Sequence, residues 1–243
     1  MNEEIKFGKK DLLLSLIVGE ISAWLIWALA KGLLPADKYV SFGGYLKFLP
    51  IIFPILCLAG LYVGYLLGKK IAVIFQIAKF ALIGGFNTLV DWGILSLAIF
   101  AFRRWLGIES SDALLTISAF TIGFYSLFKA ISFVIASTNS YFWNKFWTFK
   151  RQTAEKISKE FSQFFIVTFI GFLINVVIAS GVFKMVTPID GVNQDQWGII
   201  AAVVATVFSM FWNFIGYKFI VFEQKKTPAA PIAPSEPPQR KIV

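Results

Sequence analysis

The chain has 243 residues, of which 57% are hydrophobic, with 27 Phe, 8 Trp and a formal net charge of +9; the mean hydropathy is +0.71. A soluble domain of this length has too little interior to hide that much apolar surface, and several windows reach the length of a spanning helix. The absence of histidine and the single cysteine, Cys57, exclude an intrachain disulfide, His-based acid–base chemistry and a Cys/His metal site.

In chain order, Met1–Asp11 is polar and carries Lys6, Lys9 and Lys10. Leu12–Leu34 reads as a first span; it lacks the small-residue cleavage pattern of a removable signal. Pro35–Lys47 reads as a short loop and Phe48–Gly68 as a second span, closed by Lys69 and Lys70. Lys79–Phe102 reads as a third span and Ala130–Phe149 as a fourth. Phe161–Val186 and Trp197–Phe222 complete six crossings. The stretch Ala113–Phe149 is too long for one span and short for two. Leu114–Lys129 is therefore an interfacial piece, a re-entrant piece or an outward extension of the following helix, and the residues leave these three open. Gln224–Val243 holds five of the nine prolines and no aromatic residue, a composition expected to be disordered.

An internal repeat organises these spans. Lys79–Ile94 is echoed by Gln163–Ile178: each starts on a polar residue and sets an Asn deep in an apolar run, Asn87 and Asn175. Asn139–Phe149 is echoed by Trp212–Phe222, and both close on Lys-Phe-x-x-Phe, at Lys145 and Lys218. The expected fold is thus an all-α polytopic membrane protein of about six spans. It comprises a two-span extension over residues 1–70 and a four-span unit over 71–223, with repeats at 77–149 and 161–222. With both termini inside, sixteen of the 23 basic residues fall on the inner side and seven outside, as the positive-inside rule requires. The positive charge then faces anionic lipid, not nucleic acid. Both hairpins share one orientation, so their symmetry axis is expected along the membrane normal.

Polar groups in this apolar setting mark candidate sites. Asp91 falls about 18 Å into a hydrocarbon core roughly 30 Å thick, where a carboxylate facing lipid costs at least ~2.5 kcal/mol. It must face protein or a wet cavity, and Asn87 shares its helix face. The functional reading is a polar pocket or proton-linked site; the structural one is an interhelical hydrogen bond to Asn175 or Asn139. Snorkelling accounts for one lysine near a helix end. Lys145 and Lys218 at matching repeat positions, each near an Asn (Asn144, Asn213) and ringed by aromatics, suit a paired anion site, with Lys79 as a third cation. Glu20, within the first span, is given no role.

Phe80–Asp91 (FALIGGFNTLVD), Asn139–Phe149 (NSYFWNKFWTF), Phe164–Asn175 (FFIVTFIGFLIN) and Asn213–Phe222 (NFIGYKFIVF) resemble the GtrA-like family of four-span membrane proteins over about Ile77–Phe222. The chain departs from that pattern in four respects. Lys145 and Lys218 stand where Arg is common, Tyr217 replaces an expected Asn, Leu114–Lys129 reads as an insertion, and Leu12–Gly68 adds two spans. The resemblance implies work on polyprenyl-phosphate-linked sugars for cell-surface glycosylation: a flippase moving a polyprenyl-phosphate monosaccharide to the outer leaflet of the plasma membrane, beside the membrane glycosyltransferase that makes it. The residues themselves, with one mid-membrane carboxylate and no His, suggest no covalent chemistry and no cofactor. On this expectation Lys145, Lys218 and Lys79 hold the phosphate. Asn87, Asp91, Asn139, Asn144, Asn175 and Asn213 line a polar path, and a homo-oligomer would thicken the thin wall of four helices. A non-transporting anchor for a glycosyltransferase and a small cation or drug exporter are the alternatives.

Overall fold

The structure, a computed structural model, describes residues 5–33, 35–118, 120–151, 157–188, 191 and 193–223. The proline-rich segment expected to be disordered lies outside the described residues, as does part of the charged loop after Lys150.

Helix α1 (Lys9–Leu33) opens on one half of a capping box: the Gly8 N–H donates to Asp11 Oδ2 at 3.1 Å, satisfying a donor that the first turn leaves free. Helix α2 (Ala36–Leu46) occupies the stretch expected to be a loop. It is short and largely exposed, tied to α1 by the Trp27 indole N–H on Tyr39 Oη at 3.1 Å. Helix α3 (Leu49–Gly68) follows, with Pro50 in its first turn, where a proline costs no hydrogen bond. Gly19 of α1 lets that helix approach Pro54 of α3; a Cβ at Gly19 would stand 2.5 Å from the Pro54 Cα.

Helix α4 (Ala72–Ala101) begins seven residues before the position expected from sequence, so Lys79 is two turns inside the helix, not at its mouth. A π-helical turn at Phe102–Leu106 ends it. Strands β1 (Ala113–Ile117) and β2 (Phe120–Gly123) then pair antiparallel, Thr116 facing Thr121. Leu114–Lys129 divides: Phe124–Lys129 is the outward extension of the following helix, α5 (Phe124–Trp143), and the strands before it form a small β-hairpin that the sequence did not offer. Thr116, Ile117, Thr121 and Ile122 are β-branched and favour the extended form. Helices α6 (Ile157–Met185) and α7 (Gln194–Gly216) complete the chain.

Among the described residues, five helices are long and apolar enough to cross a membrane: α1, α3, α4, α6 and α7. Helix α5 is the sixth by geometry. Its 20 residues span about 30 Å, and it returns the chain to the end where α4 begins, where Gln76 Nε2 donates to the Thr148 carbonyl at 3.3 Å. The protein is an all-α polytopic membrane protein in which the β-hairpin is the one described departure from helix.

The α4–α5 and α6–α7 hairpins run in the same direction, meeting through α4 on α7 and α5 on α6. Residues of α4 and α6 correspond at a spacing of 84 (Phe80 to Phe164), and those of α5 and α7 at a spacing of 73 (Phe149 to Phe222). The shared core follows this correspondence: Phe80 and Phe164, Tyr141 and Phe214, and Phe149 and Phe222 form one buried aromatic cluster. Phe149 and Phe222 stack at 5.2 Å. Both hairpins end in a π-helical turn, Asn144–Thr148 and Tyr217–Val221. In each the closing N–H reaches back five residues, Phe149 to Asn144 O and Phe222 to Tyr217 O, both at 2.8 Å. Such turns are rare and gather at functional sites. Helices α1 and α3 pack on α4, burying Val18, Leu61, Phe75, Ile83 and Phe86 with Trp147.

Candidate functional site

Between the two hairpins lies a cavity of about 430 Å³. Its wall is built in corresponding pairs: Phe80 and Phe164, Gly84 and Thr168, Ser140 and Asn213, Asn144 and Tyr217. Asn87, Ser137, Thr206 and Ser209 add further amide and hydroxyl groups. No charged side chain among the described residues lines it. Two buried acceptors, Asn144 Oδ1 and Asn213 Oδ1, have no donor among the described residues. A buried acceptor without a partner costs free energy that a hydroxyl-bearing ligand recovers.

Of the residues expected to form a polar path, Asn87, Asn144 and Asn213 line this cavity. Asn139 stands beside it: its Nδ2 donates to Asn87 Oδ1 at 3.3 Å, and its Oδ1 accepts the Trp143 indole N–H at 3.1 Å. Asn175 donates to Thr206 Oγ1 at 3.4 Å and Ser209 Oγ at 3.3 Å, across the α6–α7 seam. Asp91 is engaged elsewhere. Lys129 of α5 forms an ion pair with its Oδ2, and Ser132 Oγ donates to its Oδ1 at 2.7 Å. The interhelical hydrogen-bond reading of Asp91 thus describes its contacts, with partners other than Asn175 or Asn139.

The three lysines expected to hold an anion divide. Lys145 is 4% exposed; its Nζ lies 2.6 Å from Glu160 Oε1 and 3.0 Å from Tyr141 Oη, and the tyrosine donates to the same Glu160 oxygen at 2.6 Å. Lys79 is paired with Asp11, which also accepts the Trp147 indole N–H at 2.9 Å. Lys218 lies over the Phe214 and Phe219 rings, 5.6 Å from each centroid, and has no carboxylate partner among the described residues. Lys218 and Lys79 share a second cavity of about 400 Å³ with Lys6, Gln76, Thr148 and Lys150; Lys145 does not reach it.

Sequence reasoning missed Asp11, Glu160, Gln76, Thr148 and the engagement of Lys129 with Asp91. The signal for Glu160 lay three residues upstream of the repeat as first aligned: continuing from Lys79 and Gln163 back to Gln76 and Glu160 sets an amide against a carboxylate.

Comparison with curated proteins and with solved structures returns no match. A family model, that of the GtrA/DPMS transmembrane domain, matches residues 79–222. The matched region runs from the buried lysine of α4 to the π-helical turn that closes the second hairpin, and so takes in both hairpins and the cavity between them. Because it covers well over half of the sequence, this chain belongs to the GtrA/DPMS transmembrane-domain family.

Proposed function

We propose that the protein carries a polyprenyl-phosphate-linked sugar across the plasma membrane for cell-surface glycosylation, without covalent chemistry. Family membership ties the chain to polyprenyl-phosphate-linked sugars in general; transport is the finer reading. One observation carries it: the cavity between the hairpins is uncharged and rich in hydroxyls and amides, with two buried acceptors awaiting donors. A sugar is a neutral ligand with many hydroxyl donors. The volume lies within the range of small-molecule sites, about 300–1,000 Å³. An apolar helical exterior suits the polyprenyl tail, which stays in lipid while the headgroup moves.

Charge distribution favours both termini on the cytoplasmic side. The basic end then faces the compartment where a membrane glycosyltransferase would deliver the lipid-linked sugar. The engagement of Asp91 by Lys129 and Ser132 disfavours a cation exporter, which needs a carboxylate free to draw its substrate.

The test is leaflet translocation of a polyprenyl-phosphate monosaccharide in proteoliposomes. The Asn144→Leu/Asn213→Leu variant removes both orphaned acceptors, and we expect translocation to fall by about tenfold or more with folding retained. Translocation at the wild-type rate would refute the cavity as the sugar path. No translocation by the wild-type protein, together with co-purification of a glycosyltransferase, would favour the anchoring reading.

A further inference from the structure

The near-symmetry of the hairpins breaks at one charge. In the first hairpin's closing turn, Lys145 is neutralised by Glu160 of α6 and bridged by the Tyr141 hydroxyl. At the corresponding positions of the other hairpin, Lys218 stands for Lys145, Gln76 for Glu160 and Phe214 for Tyr141. The carboxylate has become an amide and the phenol a phenyl ring. The lysine alone is unchanged.

Gln76, Lys218 and Thr148 line the second cavity, together with Lys150, Lys6 and the Asp11-paired Lys79. Thr148 Oγ1 is buried and has no partner among the described residues, and its residue is 4% exposed. Its counterpart in the other hairpin is Val221, which has no hydroxyl. Lys150, held at φ 52°, begins the loop that leaves the turn. The segment carrying Lys6 precedes the family-matched region and is fixed by Phe7, whose ring packs 5.6 Å from Tyr62 and 5.5 Å from Tyr65.

We propose that this cavity is a single, one-sided phosphate site, with Lys218 as its central cation, the Thr148 hydroxyl as a donor, and Lys150 and Lys6 at its rim. Lys145 takes no part, because Glu160 already holds it. The chemistry recognised is a phosphate group; for the identity of the natural ligand the site rests on the transport reading above. Lysine serves phosphate as a point charge, and a buried hydroxyl adds direction. Gln76 is neutral and its Nε2 donates to the Thr148 carbonyl at 3.3 Å, so it leaves the charge of Lys218 uncompensated.

The experiment is native mass spectrometry of the full chain in mild detergent, titrated with polyprenyl monophosphate. Phosphatidylglycerol and inorganic phosphate serve as competitors. Gln76→Glu rebuilds beside Lys218 the carboxylate that silences Lys145, and Lys218→Gln removes the cation. Each is expected to weaken polyprenyl monophosphate binding by about tenfold or more. Lys145→Met/Glu160→Leu, which removes the silenced pair as a unit, should leave affinity within about twofold. Unchanged affinity in Lys218→Gln would overturn the site, as would a loss in the Lys145→Met/Glu160→Leu variant equal to that of Lys218→Gln. If Gln76→Glu folds poorly, Lys218→Gln decides the matter.

Displacement by inorganic phosphate would show that the phosphate itself is read. Displacement by phosphatidylglycerol alone would reassign the site to a general anionic headgroup and overturn its link to polyprenyl phosphate. Lys218-dependent binding without translocation leaves the site standing and removes the transport reading. Translocation indifferent to Lys218→Gln does the reverse.

Discussion

Lys145 of the first hairpin and Glu160 of the second meet at 2.6 Å with both side chains 6% exposed. The pair joins the end of α5 to the start of α6, so it fastens the two hairpins at their basic end. Removing one partner leaves a buried charge alone, which costs about 3–5 kcal/mol. Glu160→Gln is expected to lower the Tm in detergent clearly, whereas Lys145→Met/Glu160→Leu should recover most of the loss. Equal destabilisation by the single and double substitutions, read by thermal unfolding, would show that the charges are not coupled.

Asp91 and Lys129 make a second cross-helix pair, with Lys129 42% and Asp91 19% exposed on their side chains. Solvent screens this pair more than the first, so a smaller coupling is expected. Asp91→Asn and Lys129→Gln should each lower the Tm, and the double substitution should cost less than their sum. Strict additivity across the cycle would mean that the pair contributes nothing.

Two glycines of the hairpins should answer differently to alanine. At Gly171 a Cβ would collide with the Asn213 side chain amide, which is flexible and can swing away from its place in the cavity wall. Gly171→Ala should therefore slow translocation with little change in Tm. At Gly84 nothing lies within 4 Å of the added carbon. Gly84→Ala should hold or raise stability, since alanine gains about 0.5–1 kcal/mol over glycine inside a helix. A large fall in Tm for Gly84→Ala would contradict the open space described.

The N-terminal helices depend on close approaches. A Cβ at Gly64 of α3 would collide with the Ala78 Cβ of α4, and at Gly60, one turn earlier, it would meet nothing. Gly64→Ala is expected to cost about 1–3 kcal/mol through overpacking, and Gly60→Ala to be neutral or stabilising. Comparison of the two Tm values checks the α3–α4 contact directly.

Hydropathy and the echo of Lys-Phe-x-x-Phe made the spans and the repeat legible, because lipid enforces long apolar helices and duplication leaves matching motifs. Two elements were hidden. At Thr116–Ile122 an apolar stretch in a membrane context hid the alternation of a short hairpin. At Pro35–Lys47, read as a short loop between two spans, α2 forms. Asp91 was read as needing protein or water around it, and protein supplies it; Lys129 lies 38 residues away, a separation no local pattern reports. The symmetric anion site expected at Lys145 and Lys218 assumed that matching lysines have matching neighbours. The carboxylate that holds Lys145 comes from the other hairpin and the amide at its matching position shares a cavity with Lys218, so the difference between Gln76 and Glu160 emerges only once α5 meets α6 and α7 meets α4.

The matching π-helical turns at the ends of α5 and α7 also bear on ancestry. An extra residue in the same turn of both copies fits a single two-helix precursor that already carried it and worked by pairing with itself. A two-fold pair of identical chains must bear the same residue at both equivalent places. Such an ancestor could have offered two cations or two neutralised ones, never one of each. Joining the copies in one polypeptide freed positions 76 and 160 to diverge. The fused chain can then keep one lysine as a fastening and spend its twin on a ligand.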